Sequence, residues 1–127
     1  MDISTLKAQH AFVNLQHPAT REDLGLVIEM RPRHSKEVQR VNEQFEAKHS
    51  KRTARGKEPS AAERRNHSKE LISAAVVGWE WTDEELTFNG EQPDYSADTL
   101  KSWMKDYPWI LEQLSAYFVE DENFFTD

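Results

Sequence analysis

Between Glu46 and Glu70 the chain contains no Leu, Ile, Val, Met or aromatic residue. A stretch that polar cannot bury much apolar surface, whatever backbone it adopts. The core must therefore come from the apolar residues on either side. The middle is left as either a mobile loop or a helix projecting into water. With 127 residues in all, one domain around one modest core is the expected arrangement. It divides into a hairpin over 11–30, a helix and polar basic segment over 35–70, and an acidic helical part over 71–127.

In the first apolar block, Phe12, Val13 and Leu15 stand before a polar break running from His17 to Asp23. Leu24, Leu26, Val27, Ile28 and Met30 follow it. Proline presets its φ and aspartate bonds neighbouring backbone, so the break reads as the turn of a β-hairpin. Two strands alone are marginal in water, and a helix must cover one face. Pro32 and Ser35 announce that helix, with Ser35 as the expected N-cap and Val38, Val41 and Phe45 at helical spacing.

The second block begins with a helix expected from Ser60, where Ser60 and Glu63 have capping-box spacing behind Pro59. Its apolar end, Leu71 to Val77, docks it, and Gly78 reads as the stop. Trp79-Glu80-Trp81 and Leu86-Thr87-Phe88 then flank an acidic segment, and Asn89-Gly90 signals a turn. This predicts a short irregular or hairpin-like excursion. Ser96 caps a third helix with Leu100, Trp103, Met104 and Tyr107 on one face. Pro108 opens a fourth, with Ile110, Leu111, Leu114 and Phe118 facing inward. The expected fold class is α+β, mainly α: an N-terminal β-hairpin packed on about four helices, with a projecting polar middle segment.

Much of the chemistry that a chain could perform is excluded by what is missing. There are no cysteines, which removes disulfides, thiolate zinc sites and thiol nucleophiles. No Gly-rich phosphate loop and no nucleophile elbow surrounds any serine. The carboxylates are plentiful, but no spacing selects a desolvated pair for acid–base work. His10, His17, His34, His49 and His67 are scattered without metal-ligand spacing, and read as surface or turn histidines. No apolar run approaches the ~20 residues of a membrane helix, and the first residues lack the order of a signal peptide. The expectation is a soluble, unexported non-enzyme without metal or cofactor.

The net charge of -7 hides an asymmetry: residues 1–30 sum to -2, residues 31–70 to +6 and residues 71–127 to -11. Unlike patches favour contacts within one molecule, between copies, or with a partner. The cations Lys48, Lys51, Arg52, Arg55, Lys57, Arg64, Arg65 and Lys69 are the one signal for nucleic acid. Against it, Glu46, Glu58, Glu63 and Glu70 are interspersed and no aromatic residue is interleaved to stack on bases.

Trp79, Trp81, Trp103, Tyr107, Trp109, Tyr117 and Phe118 crowd into the second half. Core packing explains most of them, yet Trp and Tyr are also favoured at protein interfaces. Candidate protein-binding residues are Trp81, Trp109, Phe124 and Phe125, with Arg52 and Arg55 from the basic segment. Phe124 and Phe125 read equally as anchors on the core or as partner contacts.

The order of these segments resembles the tail assembly chaperones of long-tailed bacteriophages. The likeness rests on Phe12-Val13-Asn14-Leu15-Gln16-His17-Pro18-Ala19-Thr20 with Leu24-Gly25, on Ala74-Ala75-Val76-Val77-Gly78-Trp79, on Asp94-Tyr95-Ser96, and on Tyr107-Pro108-Trp109-Ile110 with Gln113 before Asn123-Phe124. The polar middle is longer and more basic than the family pattern, and the acidic excursion has no counterpart in it. The resemblance implies a protein of the host cytoplasm that is absent from the finished virion. It binds the tape-measure protein, keeps it soluble and helps recruit the major tail-tube protein. Many members of that family also exist as a longer frameshifted product, and this chain resembles the shorter form. Self-association is compatible with the charge pattern. Two other readings of the residues are a nucleic-acid-binding accessory protein using residues 48–69 and a structural head-to-tail joining protein.

Overall fold

A computed structural model describes residues 2–125, without the side chains of residues 51–53. The elements run β1 (Ala11–Gln16), β2 (Asp23–Met30), α1 (Lys36–Ala54), α2 (Ala61–Ala75), β3 (Val76–Trp81), α3 (Ala97–Asp106) and α4 (Pro108–Phe118), with short 3-10 turns at Ile3–Thr5 and Asp121–Asn123. The class is α+β, mainly α, as the residue pattern indicates. The strands form one antiparallel sheet in the order β1-β2-β3.

The sheet has two unlike faces because side chains alternate along a strand. Ala11, Val13 and Leu15 of β1 and Leu26, Ile28 and Met30 of β2 are buried, while Phe12 and Asn14 are exposed. Helices α2, α3 and α4 contribute Ile72, Leu100, Met104, Leu114 and Phe118 to the same core. The β1–β2 turn holds its shape through His17, whose Nδ1 accepts from the backbone N–H groups of Ala19 and Thr20 at 3.0 and 3.2 Å. Among the described residues no helix is long and apolar enough to cross a membrane.

The third strand corrects the expectation of a helix running through Val77 to a glycine stop. Helix α2 ends at Ala75 and the next residue already belongs to β3. Arg31 makes so abrupt a switch possible. Its backbone N–H donates to Ala75 O at 2.7 Å and its guanidinium to Ala74 O at 2.8 Å, satisfying carbonyls that a helix end leaves open. Gly78 instead pairs with Glu29 inside the sheet.

Capping follows the residue pattern at three of four helix starts. Ser60 and Glu63 form the full capping box, Ser96 accepts from the Thr99 N–H, and Pro108 occupies the first turn of α4. Ser35 precedes α1 and its carbonyl accepts from Gln39, but its hydroxyl is buried without a partner among the described residues. The expected side-chain cap is absent.

The polar middle takes the helical alternative, as the outer parts of α1 and α2 packed side by side. With no aliphatic side chain larger than alanine available there, histidine fills the seam. The Phe45 ring stacks on His67 at 3.9 Å and lies 4.4 Å from His49. His49 is 5% exposed, which overturns its reading as a surface residue, and its Nδ1 stands 3.3 Å from Glu63 Oε2. His67 Nε2 lies 3.1 Å from Asn42 Oδ1.

Burial holds His67 below the ordinary imidazole value of 6.5, the nearby His49 lowers it further, and Glu46 opposes both. A base whose folded value is lowered binds protons more readily when unfolded. Its contribution is therefore intact above about pH 6.5 and is lost as the pH falls below it. Urea unfolding of the wild type should lose more stability between pH 7.5 and 5.5 than that of His67→Phe, which keeps the ring stack. Parallel pH curves for the two proteins would show that His67 does not carry the effect.

Candidate functional site: an aromatic groove

Trp79 and Trp81 are two residues apart on β3 and so point to the same face of the sheet. Both indole N–H groups donate to the Pro93 carbonyl, at 3.0 and 2.9 Å. That shared acceptor ties the excursion after β3 back to the strand. Tyr95 adds a second tie, its hydroxyl donating to Val76 O at 3.2 Å with its ring edge-on to Trp79. Burial pushes the Tyr95 phenol up, with nearby Arg31 working against it.

The excursion is a small hairpin. Asn89 and Gly90 have φ of 52° and 82°, the left-handed pair that a tight reverse turn uses. Phe88 and Glu91 exchange backbone hydrogen bonds of 2.7 and 3.1 Å. Gln92 donates to the carbonyls of Asp83 and Leu86, both at 2.8 Å. The excursion thereby carries Phe88 to 5.2 Å from Trp103 and 6.0 Å from Tyr107.

Trp103 of α3 is the centre of the assembly. Trp79 lies flat on it at 4.6 Å and Trp81 stands edge-on at 6.2 Å. Its Nε1 is buried with no hydrogen-bond partner among the described residues, a cost that an indole usually avoids. Beside it opens a groove of about 330 Å³, lined by Trp81, Leu86 and Phe88, by Tyr107, Trp109 and Ile110, and by Leu15, Leu24 and Leu26 of the hairpin. Asn89 and Thr87 provide polar rim. Its lining is apolar and aromatic apart from the Thr87 and Tyr107 hydroxyls and the Asn89 amide, a surface suited to holding an apolar side chain. Enclosing one large apolar side chain is worth roughly 1.5–3 kcal/mol.

Of the six residues singled out in the sequence, Trp81 and Trp109 meet in this groove. Phe124 lies elsewhere and is 2% exposed, edge-on to Phe118 and Tyr117. The alternative that it anchors to the core is the one the structure adopts. Phe125 is 40% exposed. Arg55 is exposed just beyond α1, far along the chain from the groove's residues, and the Arg52 side chain lies outside the described residues. Sequence reasoning passed over Leu86, Phe88 and Tyr107. Their signal was the Asn89-Gly90 turn, which folds Phe88 back towards the end of α3.

Among the described residues no group of three or more His, Asp or Glu is placed to hold a metal ion. Comparison with known proteins finds no matching family model, no matching curated protein and no matching solved structure.

Proposed function

We propose that this chain is a tail assembly chaperone of long-tailed phages, a non-enzyme that holds the tape-measure protein soluble in the host cytoplasm and helps recruit tail-tube subunits. The observation that supports it is the groove bearing Trp81 and Trp109, a mostly apolar, aromatic surface. Partial exposure of large aromatic residues around one cleft is the pattern of an anchor site for a partner side chain. One such anchor contributes only a few kcal/mol, which suits holding followed by release. The ordered motifs that resemble the chaperone family support the same reading.

The nucleic-acid reading has no comparable support. Arg64 stands 4.0 Å from Glu58, and the Phe45 ring of the α1–α2 seam is stacked against His67. Co-expression with the tape-measure protein tests the proposal. That protein is expected to stay soluble with the wild-type chain and to precipitate with Trp109→Ala, whose helix content and melting are checked in parallel. A tape-measure protein equally insoluble with and without the wild type would end the chaperone reading. Full rescue by Trp109→Ala would remove the groove from it.

A further inference from the structure

The outer edge of β1 carries a feature that neither the groove nor the core requires. Gln113 of α4 places its side-chain amide against the Gln16 backbone: Oε1 accepts from the Gln16 N–H at 3.0 Å, and Nε2 donates to Gln16 O at 2.8 Å. That reciprocal pair is what a residue of a neighbouring antiparallel strand would make. The amide occupies the place of a peptide group.

Backbone groups on one edge recur every second residue. The next outward position is Asn14, whose side of the strand faces away from β2, and among the described residues nothing bonds its outward N–H or C=O. Beyond it, Phe12 O accepts from the Tyr117 hydroxyl at a long 3.4 Å. A groove of about 560 Å³ follows this edge, with Asn14, Gln113, Ala116 and Tyr117 among its lining residues. Asp23 and Glu120 stand along it with Arg21, and Glu112 lies beside Arg21 and Gln113. Three carboxylates against one guanidinium make the edge locally acidic.

We infer that the β1 edge is a docking site for an extended, lysine- or arginine-bearing segment of a partner polypeptide, which displaces the Gln113 amide and adds as a fourth strand. Main-chain hydrogen bonds to Asn14 and Gln16 supply the binding, and the carboxylates select the charge. Trp109 of the aromatic groove also lies beside Glu112 and Gln113, but the main-chain hydrogen bonds of the β1 edge do not depend on what that groove holds.

The probe is a fluorescein-labelled heptapeptide alternating lysine and valine, followed by anisotropy at moderate salt. It is expected to bind the wild type, and its glutamate–valine counterpart to bind roughly tenfold less tightly or worse. Gln113→Ala removes the internal competitor and should tighten binding by about fivefold, the equivalent of one hydrogen bond. Asn14→Pro deletes an outward N–H without breaking the β1–β2 ladder and should weaken binding by about tenfold. The same peptide N-methylated at alternate residues asks the question with unaltered protein, and should lose binding. No binding to either the wild type or Gln113→Ala, or binding indifferent to N-methylation, overturns the inference.

Discussion

Alanine at Gly25 is expected to lower the stability of this fold by on the order of 3 kcal/mol, from backbone strain and steric conflict together. Gly25 has φ of 102°, which a side chain rarely tolerates, and an added Cβ would sit 2.4 Å from Asp83 Cβ. Asp83 cannot step aside cheaply, because the Thr82 N–H beside it donates to Gly25 O at 2.7 Å. Its own carbonyl also receives Gln92. The contact joins β2 to the start of the excursion, and Leu24 and Leu26 on either side of Gly25 line the groove. Partner holding should therefore fall along with stability. Gly78→Ala is the control: its Cβ would meet nothing within 4 Å, and a change within about 0.5 kcal/mol is expected. Matching urea midpoints for the two variants would refute the close-approach argument.

The local devices of the fold were legible because each is written in a few adjacent residues. The Ser60–Glu63 box, the Ser96 cap, Pro108 at a first turn and Asn89-Gly90 all act within one turn of chain. What escaped was β3, because its signal was split. Leu71 to Val77 is one apolar run with no breaker between Ala75 and Val76, and the group that ends α2 is Arg31, distant in sequence. A period-two reading of Trp79 and Trp81 was the available clue. Ser35 shows the converse: a correct residue type at a correct position, whose hydroxyl still finds no donor to cap.

The candidate site was legible by half. Trp81 and Trp109 stand out by type, but nothing local says that the strand and α4 converge on the same cleft. That convergence depends on Trp103 taking the flat face of Trp79, which fixes α3 against β3. His49 was missed for a related reason. Where a seam offers no aliphatic side chain larger than alanine, a histidine with a carboxylate partner can fill the space between two helices.

Phe124→Ala should be the most damaging change in the terminal region, costing roughly 3–5 kcal/mol as expected for removing a buried phenylalanine ring. The ring is 2% exposed and meets Phe118 and Tyr117 edge-on at 6.2 and 6.0 Å. Its carbonyl also accepts from the Gln9 N–H at 2.6 Å, so the chain entering β1 is held by the same residue. Arg33 and Asp121 bridge nearby through two bonds of 2.8 Å, and the guanidinium holds the Asp121 carboxyl below the usual range. That pair is open to solvent and screened by salt, so the ring rather than the ion pair fixes the tail. Phe125→Ala removes a ring that is 40% exposed and should shift unfolding by no more than about 0.5 kcal/mol. Thermal melts of the two variants separate the roles: a large loss for Phe124→Ala with none for Phe125→Ala is expected. Melts of both variants coincident with the wild type would mean that neither ring anchors the tail, and equal large losses would mean that Phe125 anchors it as well. Under the anchor reading, loss of partner holding in Phe124→Ala must track the unfolded fraction as temperature rises, whereas a direct contact would be lost even where the variant is fully folded.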